Sequence, residues 1–307
     1  MVHVAAGEVA TCYIDIGGMI LCMGHPIGNF GSDNLLLPIA VTMPVGLTAT
    51  QISMSQDGAC DGAGCDSACA IMSDSNIYCW GYSNSGRLGI DPVSPPIGSP
   101  MMVNMPTGLT GKQLSRGSDH SCAIMSDDNI YCWGENTEGE LGDGTTVNKP
   151  IPTAVTMPTV DGNPLTSKQI ALGYEFSCAI MSDDNIYCWG RNRYGSLGIG
   201  SFDNSLKKLV PEIITMPSGL TAKQLGVGKY GGCAIMSDDN IYCWGPNWYG
   251  MLGIGTDDMS GNGASVPTAT TMPVGLTAKQ ISVGGFDRCA IMSDDNIYCW
   301  GDKMGAG

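Results

Sequence analysis

The sequence predicts an all-β fold, a β-propeller of six blades, and three observations predict it. The string CAIMSDDNIYCWG occurs four times, starting at Cys122, Cys178, Cys233 and Cys289, with a near copy from Cys69 and a degenerate one, CYIDIGGMILCMG, from Cys12. The successive first cysteines lie 57, 53, 56, 55 and 56 residues apart, a period that suits a propeller blade and exceeds that of most helical solenoid repeats. Within a unit, no ten-residue stretch carries a 3.6-residue apolar period, so helices have no support.

The third unit shows the expected order of elements. VNMP, from Val103, reads as a short strand a, and PTGLTG as a turn with Pro early and Gly late. KQLS follows as strand b, then a variable loop, then CAIMS as strand c, a tight turn at SDDN, and NIYCWG as strand d. The blades are therefore mostly four antiparallel strands each, and one propeller domain spans 1–307. If Cys122 lies opposite Cys132 across a three-residue loop, one face carries Cys122, Ile124, Ile130 and Cys132, and the other Ala123, Met125, Tyr131 and Trp133. Both faces are largely apolar, as for a sheet sandwiched between two others.

Each unit holds two cysteines ten residues apart: Cys12 and Cys22, Cys69 and Cys79, Cys122 and Cys132, Cys178 and Cys188, Cys233 and Cys243, Cys289 and Cys299. An odd-length hairpin loop puts residues i and i+10 opposite each other on one face, within disulfide reach. The expectation is one disulfide per c–d hairpin, with the third loop position at φ > 0. Gly18 occupies that position in the first unit, and Asp128, Asp184, Asp239 and Asp295 in later ones. Cys60 and Cys65 sit in an insertion in the second unit and complete a set of 14 pairable cysteines. The alternative is zinc held by Cys60, Cys65 and Cys69, although no paired knuckle or His completes such a site. Disulfides imply an extracellular, periplasmic or cell-surface location. With no signal peptide visible, they also imply a mature or truncated chain.

Composition removes several classes. Asp and Glu number 29 against 14 Lys and Arg, a formal charge of −15, which disfavours nucleic acid and anionic lipid as partners. No apolar run approaches the roughly 20 residues of a membrane span, so membrane insertion is not expected. The three histidines, His3, His25 and His120, fall in different units, and no nucleophile elbow, zincin or phosphate-loop string occurs. No catalytic residue, metal or cofactor is predicted. DGACDGAGCD (57–66) spaces Asp57, Asp61 and Asp66 with glycines but lacks the run of a calcium loop.

The strings YCWGENTEGELGDG (131–144), YCWGRNRYGSLGIG (187–200) and YCWGPNWYGMLGIG (242–255), with the worn YCWGYSNSGRLGI (78–90), resemble the regulator of chromosome condensation repeat. The variant with two cysteines around the c–d hairpin looks like that family's secreted bacterial branch. The resemblance implies a propeller, commonly of seven blades where this chain has six cysteine pairs. It also implies a function among exchange factors, enzyme inhibitors, photoreceptors and secreted modules.

Alternating strand direction brings the b–c loops and d–a linkers to one end of a blade and the a–b and c–d turns to the other. The second end is nearly constant (MPxGLTAK, SDDN), whereas the first varies between units. Variable positions in a fixed frame are where recognition differs. That end concentrates His120, Tyr174, Phe176, Tyr194, Tyr230, Trp248, Tyr249, Phe286 and Arg288, side chains enriched at binding hot spots. The expected function is a non-enzymatic secreted or cell-surface module that binds a protein or glycan ligand there. The alternatives are a structural subunit of an extracellular assembly or filament, and a protein inhibitor of an extracellular hydrolase. A guanine nucleotide exchange factor ranks last. Six copies of b, c and d against five of a suggest an incomplete first blade, a route to self-assembly.

Overall fold

The computed structural model describes residues 3–7, 10–25, 27, 35–55, 66–91, 97–259 and 263–302. They form six antiparallel sheets, the blades of a β-propeller. Sheet 1 comprises His3–Ala6, Ala10–Ile14, Ile20–Gly24 and Leu35–Ala40, and sheet 2 comprises Ala49–Met54, Ser67–Met72, Ile77–Gly81 and Ile97–Met102. Sheet 3 comprises Gly111–Arg116, His120–Met125, Ile130–Gly134 and Lys149–Ala154. Sheet 4 comprises Ser167–Leu172, Phe176–Met181, Ile186–Arg191 and Lys207–Ile213, and sheet 5 comprises Ala222–Val227, Gly232–Met236, Ile241–Pro246 and Gly263–Ala269. Sheet 6 has three strands, Ala278–Val283, Asp287–Met292 and Ile297–Gly301. A two-stranded hairpin, Thr159–Val160 with Asn163–Pro164, precedes sheet 4. Residues 1–137 with 145–155 make one compact unit holding sheets 1–3, and 138–144 with 156–307 make a second holding sheets 4–6.

The central hairpin has the expected register. Cys122 lies opposite Cys132, Ile124 opposite Ile130 and Ala123 opposite Tyr131, and sheets 1, 2, 4, 5 and 6 repeat this pairing. Among the described residues, six disulfides close the six hairpins. They are Cys12–Cys22, Cys69–Cys79, Cys122–Cys132, Cys178–Cys188, Cys233–Cys243 and Cys289–Cys299, as expected from the spacing. Their Cα atoms are 4.0–4.1 Å apart, the close pair of an antiparallel ladder. Since Cys69 is bonded to Cys79, the alternative of zinc on Cys60, Cys65 and Cys69 loses one of its three thiolates. Cys60 and Cys65 themselves lie outside the described residues. The third loop position is left-handed in every hairpin: Gly18, Ser75, Asp128, Asp184, Asp239 and Asp295 have φ between 62° and 80°.

Two corrections concern strand a. The expected strand from Val103 is irregular, and the actual strand, Ile97–Met102, ends just before it. It pairs with Ile77–Gly81 of the unit before, Tyr78 opposite Met102 and Cys79 opposite Met101. The ladder stops where the Val103 N–H bonds to the Ile77 carbonyl and the chain turns toward Pro106. Each blade is therefore b, c and d followed by the strand after the linker. The first blade is in consequence complete, and the three-stranded blade is sheet 6, not sheet 1.

Within each unit, successive sheets pack by one rule. Cys12, Ile14, Ile20 and Cys22 of sheet 1 share a core with Ala68, Ala70, Met72 and Trp80 of sheet 2. The cysteine–isoleucine face of sheet 2 itself, Cys69, Ile71, Ile77 and Cys79, meets Ala123, Met125 and Trp133 of sheet 3. In the second unit, Cys178, Ile180, Ile186 and Cys188 meet Ala234, Met236 and Trp244, and Cys233, Ile235, Ile241 and Cys243 meet Ala290, Met292 and Trp300. Polar stitches cross the same seams. The Gln51 amide donates to the Leu114 carbonyl and accepts from its N–H, both at 3.0 Å, and Gln169 treats Leu225 alike at 2.8 and 2.9 Å. Indole N–H groups donate to linker carbonyls: Trp133 to Arg87, Trp189 to Glu140, Trp244 to Ser196 and Trp300 to Met251, at 2.7–3.1 Å. The glycine after each tryptophan is required. At Gly134 (φ 107°) a Cβ would strike the backbone of Asp119 and His120.

The repeated SDDN-Y string is explained by the turn. Asp127 accepts from the Asn129 backbone and side chain and from the Tyr131 hydroxyl, and Asp74 and Asp238 do the same. The following aspartate pairs with a lysine on the first strand of its sheet: Lys112–Asp128, Lys168–Asp184, Lys223–Asp239 and Lys279–Asp295, at 2.6–2.7 Å. In sheet 2 both members change together, to Thr50 and Ser75, and the Thr50 hydroxyl donates instead to the Ile71 carbonyl.

Burial works to raise the carboxyls of Asp74, Asp127 and Asp238, but the hydrogen bonds from Asn and Tyr outweigh it and leave them below the ordinary value. A carboxyl lowered by folding contributes stability above its unfolded value and loses it as pH falls through the folded one. The melting temperature should therefore drop between about pH 4 and 2, as calorimetry across that range would measure. Replacing Gln169 with Ala leaves the Leu225 N–H and carbonyl without their partner. The expected loss is about 1–3 kcal/mol, read as a lower urea midpoint at unchanged slope.

Candidate functional site

The b–c loops share one backbone frame. Outside sheet 2, an N–H bonds to the carbonyl three residues on, among them Gly117 to His120, Gly173 to Phe176, Gly228 to Gly231 and Gly284 to Asp287; in sheet 2 the Ser55 N–H bonds to the Ser67 carbonyl across the insertion. The carbonyl of the third loop residue is anchored by the linker after the third strand, Asp119 by Glu135, Glu175 by Arg191 and Phe286 by Asp302. The side chain at that third place differs every time: Asp119, Glu175, Tyr230, Phe286.

The linkers are braced by buried asparagines. The Asn192 side chain donates to the Ser201 carbonyl and accepts from the Leu197 N–H, and Asn247 binds Thr256 and Leu252 in the same way. Two residues beyond each asparagine, Tyr194 (φ 56°) and Tyr249 (φ 54°) are left-handed, a conformation that costs a non-glycine residue roughly 1 kcal/mol. A large ring held there against its preference marks a place where the side chain matters.

In the second unit these loops gather five rings. Tyr194 and Trp248 have centroids 4.7 Å apart, and Tyr230 and Trp248 are 5.2 Å apart, both edge to face. Phe286 lies 5.5 Å from Tyr230 and 5.7 Å from Tyr249. Lys229 places its ammonium 5.3 Å from the Tyr174 ring and 5.9 Å from Tyr230, and the Arg193 guanidinium lies 5.4 Å from Tyr194. Tyr249 is 44% exposed, and the other rings are half-buried. The rings touch one another, so the cluster is a filled platform with a cationic rim and not a cage. Such platforms suit contact with another surface: edge-to-face rings lose little entropy on binding and offer both apolar area and polar tips.

The structure thus brings together six of the nine residues singled out from the sequence: Tyr174, Tyr194, Tyr230, Trp248, Tyr249 and Phe286. The other three face inward. Phe176 is 2% exposed and belongs to the core of the second unit. His120 is 1% exposed; burial, with the Arg116 charge added, pushes it down to about 3, so it stays neutral. Arg288, also 1% exposed, donates to the Gly284 and Asp287 carbonyls, and burial lowers it to about 10. In the first unit Arg116 is likewise buried, donating to Cys69 Sγ and Ser67 Oγ at 2.6 Å, and Arg87 pairs with Asp119. Sequence reasoning missed Lys229, whose signal was its place beside Tyr230 in the variable loop VGKYGG. Among the described residues, no cluster of His, Cys, Asp and Glu could hold a metal ion, and no helix is long and apolar enough to cross a membrane. The aspartate-rich loop at 57–65 lies outside the described residues.

A pair of variants measures the left-handed strain at Tyr194. Tyr194→Gly relieves it while losing the ring, and Tyr194→Ala loses the ring and keeps the strain. The glycine variant should be the more stable by about 1 kcal/mol, a difference thermal denaturation of the pair resolves.

Comparison with known proteins supports the repeat and the blade. Residues 127–180 and 183–235 match the model of the regulator of chromosome condensation (RCC1) repeat, and 112–140 and 168–196 match a second model of it. The ultraviolet-B receptor UVR8 of Arabidopsis thaliana is 25% identical over 278 residues, which are 90% of this chain and 58% of the receptor; the chain thus spans little more than half of that relative. Human WBSCR16 has a TM-score of 0.80 at 18% identity, over 98% of this chain and 76% of its own. Yeast RCC1 (Prp20), solved bound to Kap60, has a TM-score of 0.79 at 19% identity, over 98% and 69%. Residues 112–235 thus match the RCC1 repeat, and the chain shares the propeller fold of these solved structures.

Proposed function

We propose that the protein is a protein-binding module that works in an oxidising, extracellular or periplasmic setting and engages its partner with the aromatic platform of Tyr194, Tyr230, Trp248, Tyr249 and Phe286. The observation that carries this reading is the platform itself, five mutually packed rings on variable loops held by a constant backbone frame. A lone exposed ring needs no function, but a contiguous exposed aromatic patch does. Solved yeast RCC1 in complex with Kap60 supports protein as the partner class. The setting rests on the six hairpin disulfides, which reducing compartments disfavour.

The test is selection of a displayed library of short peptides on the oxidised protein. Selected peptides should lose at least about tenfold in affinity, some 1.4 kcal/mol, to the Trp248→Ala and Tyr230→Ala variants. They should bind unchanged to Lys168→Ala, at the opposite end of the blade. Peptides indifferent to both aromatic changes would refute the reading.

A further inference from the structure

The rings of the platform form a band whose two ends differ in charge. From Tyr174 the band runs through the Lys229 ammonium to Tyr230, then to Phe286 and Tyr249, in steps of 5.3, 5.9, 5.5 and 5.7 Å. Tyr194 stands edge to face with Tyr230 at 6.4 Å and carries the Arg193 guanidinium 5.4 Å from its own centroid. Both cations therefore belong to the Tyr174–Tyr230 end. At the Phe286–Tyr249 end, Arg288 is buried and donates to the Gly284 and Asp287 carbonyls. The Asp287 carboxylate is folded onto its own loop, so close to Gly284 that a Cβ on that glycine would lie 2.6 Å from it.

The carboxylates near the cationic end already have partners. Glu175 accepts from Arg191 at 3.4 Å, Glu138 pairs with Lys207 at 2.9 Å, and Asp203 accepts from the Ser205 N–H and hydroxyl. Arg193 and Lys229, both half-buried, are set against rings. A cation steadied on a ring has already given up rotamer freedom, so less is lost when a carboxylate binds it. A guanidinium lying on a ring also keeps donors along its edge, the side that a carboxylate approaches.

On the reading that the platform is the binding surface, we propose that the partner segment is an acidic peptide, its carboxylates on Arg193 and Lys229 and a bulky apolar side chain on Phe286 and Tyr249. The four steps of the band suit an extended segment of at most roughly seven residues. The chain as a whole has a formal charge of −15, so an acidic segment meets repulsion from the molecule at large and attraction at this end of the band. That contrast sets where the segment lies and in which direction it runs.

Peptides selected on the oxidised protein test this by isothermal titration. They should carry Asp or Glu toward one end and an aromatic or aliphatic residue toward the other. Changing their acids to Asn or Gln should cost at least about fivefold in affinity, and so should Arg193→Glu or Lys229→Glu in the protein. Peptides with Lys in place of the acids should bind Arg193→Glu more tightly than they bind the unaltered chain. Peptides that weaken with Trp248→Ala but are indifferent to both charge reversals overturn the acidic partner and leave the platform reading standing. Peptides indifferent to Trp248→Ala overturn both. A heparin oligosaccharide that binds the platform more tightly than every selected peptide overturns a peptide as the occupant. Should a charge reversal fail to fold by circular dichroism, the acid-to-amide peptides on the unaltered protein decide.

Discussion

Everything in this molecule leans on one contact, the packing of a cysteine–isoleucine sheet face against an alanine–methionine–tryptophan face. The near-constant hairpin string is what such a contact demands. Small Ala side chains in the middle strands let sheets approach, the disulfide fills the opposite side without a polar atom, and the tryptophan spans the seam to a linker carbonyl. Because the indole bonds to the linker of the preceding blade and the Gln stitch to the first strand of the next, each blade orders backbone on both of its neighbours. The loops that form the aromatic platform are thereby held at both ends by groups that take no part in it.

Much of this was legible in the chain because the repeat supplies its own controls. Cysteines ten residues apart fix a hairpin register, and a glycine at the third loop place of the degenerate unit exposes the left-handed requirement that aspartates elsewhere conceal. The faces followed from parity alone. What parity could not reveal was strand order across the linker. The segment before each VNMP-like string is short, varies in composition and carries a proline, a poor strand signal, and it becomes a strand by pairing with the edge that the third strand offers.

The candidate site was half legible for a related reason. His120 and Phe176 hold the first place of a second strand, opposite the glycine after the tryptophan, and Arg288 lies opposite Trp300 itself. Written in one line they read as loop residues, but in these sheets the ladder begins two residues before the cysteine string. The rings that do reach the surface lie one or more residues outside that ladder. Their convergence depends on linker geometry, above all on Tyr194 and Tyr249 in a backbone conformation that sequence preference argues against.

The frame of the short b–c loop is a pair of main-chain bonds: an amide to the carbonyl three residues on, and a carbonyl to the linker amide. The third side chain is not part of that backbone frame and makes different contacts in different loops: Asp119 and Glu175 pair with arginines, while Tyr230 and Phe286 pack in the ring cluster. Aspartate, glutamate, tyrosine and phenylalanine have all occupied that place on the same frame without altering it. Duplication of such a unit copies the frame and frees the side chain in one event. A lineage can thus rewrite what the surface recognises by single substitutions that leave the loop's backbone bonds in place, and a laboratory library randomised at those few places would inherit the same freedom.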